Sequence, residues 1–92
     1  MHARVTTFQV ADGHVDALAE AMESNDITLV DGNKGAYLLI DRASGEAMTI
    51  TLWASEQALQ DALPFAANVF SGAADYLVGE PSRRVFEVAS NA

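Results

Sequence analysis

The most constraining feature of the sequence is a pair of apolar segments joined by a short polar loop. The segments read G-A-Y-L-L-I-D from Gly35 to Asp41 and A-M-T-I-T-L-W from Ala47 to Trp53, and R-A-S-G-E lies between them. So short a connection joins neighbouring antiparallel strands, and we therefore predict a β-hairpin. Successive side chains such as Leu38 and Leu39 point to opposite faces of a strand. Both faces of this hairpin are thus apolar, and both need cover.

A second copy of the chain is the simplest cover for one of these faces. Helices of the same chain can pack on one side of the sheet, but a chain of 92 residues has little length left for the other side. An antiparallel sheet that faces water normally alternates apolar with polar residues. The sequence therefore predicts a homodimer.

Composition narrows the classes of partner. The formal charge is −8, from 13 acidic and 5 basic residues, which argues against nucleic acid and against anionic membrane surfaces as partners. There is no cysteine, and hence no disulfide framework. The first residues show no signal-peptide pattern, and no segment is apolar over the length of a bilayer. We expect a single domain over residues 1–92, located in the cytoplasm.

Periodicity gives the order of the elements in the first half of the chain. Ala3 to Val10 alternates as a strand, and a helix from about His14 to Ser24 carries an apolar stripe. Ile27 to Val30 is either a short strand or the lead-in to the hairpin. After the hairpin, Ser55 is a good N-cap for the next helix.

The second half predicts an interrupted helix and a last strand. Pro64 should break the helix that follows Ser55, because proline lacks an N–H and clashes with the preceding turn. A further helical piece is predicted from about Phe65 to Val78, ended by Gly79 at the C′ position and by Pro81. A strand from Arg83 to Ala89 closes the chain.

The resulting order, β-α-β-β-α-β, predicts an α+β fold of the ferredoxin-like type. Such a fold has a four-stranded antiparallel sheet with its helices on one face. The opposite face is the one for which we predict a second subunit.

Three segments of the chain resemble the antibiotic-biosynthesis monooxygenase-like family. They are the opening from Ala3 to Gly13, the hairpin region from Gly35 to Gly45, and the strand-to-helix junction I-T-L-W-A-S-E-Q-A-L from Ile50 to Leu59. The resemblance implies the dimeric α+β barrel, in which two such sheets pack face to face across a twofold axis. It also implies kinship with cofactor-free oxygenases that act on aromatic polyketides, although one fold hosts many activities.

The haem-degrading branch of the family is matched only in part. That branch uses an Asn on the first strand, a Trp at the end of the third strand and a His on the second long helix. Trp53 matches the Trp, Thr6 stands in place of the Asn, and the segment from Ser55 to Val78 contains no His. We therefore expect no haem degradation, since no good iron ligand is present in that segment.

The candidate ligand-binding residues are aromatic and polar side chains on predicted inner faces. Trp53, the sole Trp, either walls a pocket or is a core residue with its indole N–H bonded, and Thr49 and Thr51 share its strand face. Two further candidates, Asn68 and Tyr76, are eight residues apart on the second helical piece and then lie roughly on one helical side. The predicted ligand-binding set is Trp53, Tyr76, Asn68, Thr6, Thr51 and Phe65.

Two functions remain open from the sequence. One is a small homodimeric, cofactor-independent monooxygenase that oxidises a planar aromatic or quinonoid molecule. The other is a non-catalytic dimer that binds a small hydrophobic ligand or has a structural role. The resemblance to cofactor-free oxygenases implies that no cofactor is needed. We also expect no metal, because His2, His14 and the acidic residues show no ligand spacing. The catalytic residues stay unassigned.

Overall fold

The computed structural model describes residues 1–24 and 27–90. Two short 3₁₀ helices, Ile27–Leu29 and Ala74–Tyr76, accompany the regular elements of these ranges. The regular elements are β1 (His2–Val10), α1 (Val15–Ser24), β2 (Asn33–Ile40), β3 (Glu46–Trp53), α2 (Glu56–Asp61), α3 (Leu63–Gly72) and β4 (Leu77–Glu87).

The strands form one antiparallel sheet in the order β2-β3-β1-β4. This order, with a helix after β1 and helices after β3, confirms the predicted ferredoxin-like α+β fold with a four-stranded antiparallel sheet. The homodimer stays a prediction.

The helix-facing side of β1 forms the centre of the core. Phe8 and Val10 are buried there, and they pack with Ala47 of β3 and with Leu18 of α1. Leu18 has no exposed surface at all. The apolar stripe predicted on the first helix therefore covers this side of the sheet.

A second cluster fixes the helices that follow β3. Trp53 and Leu59 are almost fully buried and pack with Ala62. Ser55 caps α2 as predicted, because its Oγ accepts the N–H of Ala58 at 3.1 Å. The predicted interruption at Pro64 is also confirmed, since α2 ends before it and the proline lies in the first turn of α3.

The hairpin turn between β2 and β3 depends on Asp41 and a glycine. The backbone N–H of Gly45 donates to the carbonyl of Asp41 at 2.8 Å, and the Asp41 carboxylate accepts the N–H of Ala43 at 3.0 Å. Gly45 has a φ of 77°, in the region that glycine adopts without steric cost. This turn confirms the predicted hairpin.

The end of the chain differs from the prediction. The last strand begins at Leu77 rather than at Arg83, and α3 ends at Gly72 rather than near Val78. Gly79 (φ 72°) and Pro81 do not end a helix but lie in a bulge of β4. A positive-φ glycine followed by a proline is common both after helices and at irregularities of edge strands, and the sequence pattern does not distinguish the two.

The segment before β2 is a 3₁₀ turn, Ile27–Leu29, so the strand alternative for this segment is wrong. It leads into β2, and Ile27 and Val30 pack against the Trp53 cluster. The lead-in thus contributes to the cover over the end of β3.

In the described part of the chain, no helix has the length and apolar character that crossing a membrane requires. The longest, α1 and α3, have 10 residues each, against about 20 for a spanning helix.

The side of the sheet away from the helices is apolar and open. Tyr37 on β2 is 60% exposed and Leu39 is 48% exposed, while Val78 and Phe86 on β4 are 58% and 40% exposed. Strand pairing places Ile50 of β3 beside Tyr37 on this same side. We call this surface, formed by the residues just named, the open face.

Replacing Leu18 by Ala should lower the free energy of unfolding by about 3 kcal/mol, because a fully buried leucine is lost from the core. Leu29→Ala is the matched control, since Leu29 is 82% exposed, and it should change stability by less than about 0.5 kcal/mol. Urea denaturation of both variants at one protein concentration measures the difference. Equal losses would contradict the packing of α1 on β1.

Candidate functional site

The candidate site is a cavity between the helix-facing side of the sheet and the helices above it. Its volume is about 660 Å³. Strands β1, β2 and β3 form its floor, and α1, α3 and the Ile27–Leu29 turn contribute to its walls. Ligand pockets in proteins typically have about 300 to 1,000 Å³. The cavity therefore has room for a planar molecule of several fused rings.

Small side chains above the sheet make this space available. Ala62 and Ala66 line the cavity where larger side chains would fill it. Val69 and Phe70 continue the same stripe along α3. The ring of Phe70 also packs edge-on against Phe8, with 5.6 Å between the ring centroids. These residues therefore form the side of α3 that faces the cavity.

Trp53 forms the aromatic wall at one end of the cavity. Only 1% of its surface is exposed to solvent. Its indole Nε1–H donates to the Oγ1 of Thr51, two residues earlier on the same strand face, at 2.9 Å. This bond holds the ring orientation and satisfies the polar atom of an otherwise apolar side chain.

Threonines form a polar stripe across the cavity floor. Strand pairing places Thr6 of β1 opposite Thr49 of β3, and Thr51 follows on the same side. All three line the cavity, and Thr6 is 2% exposed. Hydroxyl groups can donate and accept hydrogen bonds, so the floor can bind oxygen atoms of a ligand.

A cation lies next to this stripe. Arg4 lines the cavity, is half-buried, and stands opposite Thr51 in the β1–β3 register. In residues 1–24 and 27–90, the ion pair that forms joins Arg42 to Asp16 at the surface, at 3.2 Å, and Arg4 has no carboxylate partner. Glu23 contributes a carboxylate to the lining without pairing with Arg4.

Burial lowers the pKa of Arg4, and the nearby positive charge of Arg83 lowers it further. Since the pKa is lowered in the folded protein, the charged form is less favourable there than in the unfolded chain. The resulting loss of stability is present at every pH below the lowered pKa, neutral pH included, and disappears only above the pKa of the unfolded chain. The fold thus maintains an unfavourable cation in the cavity.

The structure brings together three of the six predicted ligand-binding residues, Trp53, Thr6 and Thr51. The other three are absent from the described lining. Asn68 is exposed and Phe65 half-buried on α3. Tyr76 follows the end of α3 and lies against His14, with 5.6 Å between the ring centroids. The shorter α3 explains this, because Asn68 and Tyr76 do not share one helix.

Sequence reasoning missed Arg4, Glu23, and Ala62 and Ala66 of the α3 stripe as lining groups, whereas it gave Phe70 as a packing or pocket-lining residue. The signal for Arg4 was present, since a strand residue two positions before Thr6 shares its face. The signal for the stripe was the spacing of Ala62, Ala66 and Val69 at i, i+4 and i+7. Glu23 follows the apolar stripe of α1, and nothing in its sequence context marks it.

Potential ligands for metal or haem iron are few in this region. In the described ranges, no group of three His, Asp or Glu side chains could hold a metal ion. No described lining residue of the cavity is a histidine.

The family match follows the same elements that build the cavity floor. Residues 1–63 match the family model described as antibiotic biosynthesis monooxygenase. The chain belongs to this family. The matched region contains β1, β2, β3 and Trp53, so it includes the threonine stripe. No protein with a curated description matches the chain.

Solved structures of similar fold come from several organisms. A Mycobacterium tuberculosis protein, Rv0793, has a TM-score of 0.78 and 18% identity, covering 99% of this chain and 97% of its own. A Nitrosomonas europaea protein of unknown function has a TM-score of 0.80 and 19% identity, with 99% and 91% covered. A variant of SnoaB, a cofactor-independent oxygenase from Streptomyces nogalater, has a TM-score of 0.80 and 15% identity, with 98% and 94% covered. At these identities the likeness shows a shared fold.

Thr51→Val should destabilise the protein by about 1 kcal/mol more than Thr49→Val, because only Thr51 accepts the indole N–H of Trp53. Both substitutions remove one hydroxyl from the cavity floor, so Thr49→Val is the matched control. Since Trp53 is the sole tryptophan, its emission spectrum should shift in Thr51→Val alone. Equal effects in the two variants would contradict a specific role for this bond.

Proposed function

We propose that this protein is a small homodimeric enzyme that uses O₂, without a cofactor, to oxidise a planar aromatic or quinonoid molecule. The observation that carries the proposal is the cavity of about 660 Å³, with Trp53 as its aromatic wall and threonines on its floor. Family membership supports an oxygenase, and SnoaB is a cofactor-independent oxygenase of the same fold.

The chemistry depends on the substrate acting as its own reductant. In an anthrone-type compound, a methylene group between two aromatic rings loses a proton and becomes a carbanion. The carbanion transfers one electron to O₂, and the two radicals combine to form a C–O bond. The peroxide takes up a proton and loses water, which leaves a carbonyl group. The methylene and O₂ are thereby converted to a ketone and one water molecule.

The protein contributes position and environment to this reaction. Trp53 closes one end of the space that holds the flat ring system, and Thr6, Thr49 and Thr51 provide hydrogen-bonding groups to its oxygen atoms. The apolar walls exclude water from the carbanion. Of the described lining groups, Glu23 has the carboxylate that can accept the proton.

The homodimer forms through the open face in this proposal. Tyr37, Leu39 and Ile50 belong to it, and large apolar side chains that are half exposed in one chain favour burial against a second copy. A twofold arrangement is expected for such a self-complementary surface. The cavities lie on the other side of each sheet and remain accessible.

The alternative function is a non-catalytic dimer that binds a small hydrophobic ligand. It is favoured by the exposure of Glu23, because a solvated carboxylate is a weak base for a carbon acid. This alternative uses the same cavity and the same dimer, and it differs only in the fate of the ligand.

Oxygen uptake with a dihydroxyanthrone tests the enzyme. Wild-type protein should consume O₂ faster than buffer, and Trp53→Phe should lower kcat/KM about five- to tenfold, because the smaller ring widens the end of the cavity and holds the flat substrate less firmly. Gln60→Ala, an exposed residue of α2 outside the cavity lining, should match wild type.

Uptake that equals the buffer rate for every such compound would overturn the oxygenase proposal in favour of ligand binding. Unchanged kcat/KM in Trp53→Phe would remove Trp53 from the mechanism.

Leu39→Lys should convert the dimer to a folded monomer, because it places a charge on the apolar open face. Leu39 is already half exposed in one chain, so its replacement should leave the circular dichroism spectrum unchanged. Leu29→Lys is the matched control, because it adds the same charge on the 3₁₀ turn outside the open face. Sedimentation velocity at micromolar concentration distinguishes the two species. A monomeric wild type would contradict the dimer.

A further inference from the structure

We infer that the cavity recognises an anionic oxygen of its ligand, a carboxylate or an ionised phenol, through the guanidinium of Arg4. This inference relies on the proposed function only for the planar aromatic character of the ligand. The anion-binding site itself follows from the side chains around Arg4.

The first observation is a cation that has no carboxylate partner in the described part of a chain rich in acidic residues. The sequence has 13 acidic residues and only 5 Lys and Arg. In residues 1–24 and 27–90, none of these acids forms an ion pair with Arg4, whereas the exposed Arg42 pairs with Asp16. A half-buried charge is normally paired, because removing it from water costs free energy. Among the residues that the structure describes, Arg4 therefore has no carboxylate partner, and an anionic ligand can supply one.

The second observation is a further cation nearby. Arg83 of β4 stands opposite Thr6, next to Arg4 on the β1–β4 register. Its guanidinium carbon lies 5.7 Å from the ring centroid of Phe70, a lining residue. The two charges repel each other, since Arg83 lowers the pKa of Arg4, and an anion attracted to both offsets this repulsion. The positive potential at this end of the floor thus exceeds that of one arginine.

The third observation is the position of Arg4 relative to Trp53. Arg4 stands opposite Thr51, and the Thr51 hydroxyl is bonded to the indole of Trp53. An anionic group held by Arg4 is therefore attached to a ring system that lies along the Trp53 wall. Arginine can bind both oxygens of a carboxylate through parallel N–H groups, and it also binds the single oxygen of a phenolate.

Titration of the Trp53 fluorescence with matched probes tests the inference without any need for turnover. The probes are anthraquinone-2-carboxylate, its neutral carboxamide and 2-hydroxyanthraquinone, the last below and above the pKa of its phenol. Wild type should bind the carboxylate about tenfold more tightly than the carboxamide, as expected for a charged hydrogen bond. Tighter binding of the phenol only in its ionised form would identify a phenolate as the second acceptable anion.

Arg4→Gln should remove the preference for the carboxylate and leave the affinity for the carboxamide within about twofold. Arg4→Lys should retain part of the preference, because the charge remains while the paired N–H geometry is lost. Lys34→Gln is the matched control, since it removes one exposed positive charge outside the lining, and it should behave as wild type. Melting curves of all variants establish that each is folded.

Equal affinity of wild type for the carboxylate and the carboxamide would overturn the inference, as would equal weakening of both in Arg4→Gln. If Arg4→Gln failed to fold, the inference would be tested by the carboxylate preference of wild type and by its partial loss in Arg4→Lys. A preference for the carboxylate without O₂ uptake would support the anion site and contradict the oxygenase activity. O₂ uptake without a preference for the carboxylate would support the oxygenase activity and contradict the anion site.

Discussion

The register of β1 against its two neighbours determines where every chemical group of the cavity floor lies. β1 is paired on one side with β3 and on the other with β4. Thr6 lies between Thr49 and Arg83, and Arg4 lies between Thr51 and Val85. A shift of one residue would turn Thr6 and Arg4 to the open face and bring their odd-numbered neighbours to the cavity. The polar floor and the apolar core therefore depend on the same pairing.

The cavity exists because the cover over this floor is uneven. Near Phe8 and Val10 the helix α1 packs closely, and Leu18 fills the space completely. Towards Trp53 the cover is supplied by short elements, and Ala62 and Ala66 leave room above the threonines. The helix-facing side of the sheet thus has a densely packed half that contributes stability and a cavity half that can bind a ligand. The unfavourable charge of Arg4 lies in the cavity half, where the packing depends on it least.

The sequence was sufficient for most of the fold and for the part of the site on the strands. Alternation along β1 and β3 is strict, so residue spacing alone places Thr51 with Trp53 on one face of β3 and Thr6 with Phe8 on one face of β1. The end of the chain was not predictable in this way, because a glycine and a proline at this spacing suit a helix end as well as a bulge. That ambiguity extended the predicted helix too far and put Tyr76 on the same helix as Asn68.

Arg4 was missed for a different reason. Its position on the inner face of β1 follows from alternation, but its partial burial and its lack of a described carboxylate partner are properties of the folded chain alone.

The bulge of β4 has a separate effect, on how copies of this chain can join. Gly79, Glu80 and Pro81 occupy the space opposite a single β1 residue, and Pro81 has no N–H to offer to a neighbouring strand. At the other border, β2 changes register between its first residues. Irregular borders of this kind hinder the addition of further strands. Growth into an extended, fibre-like sheet is thereby disfavoured at both borders, whereas the stacking of two sheets in the proposed dimer would end after one step.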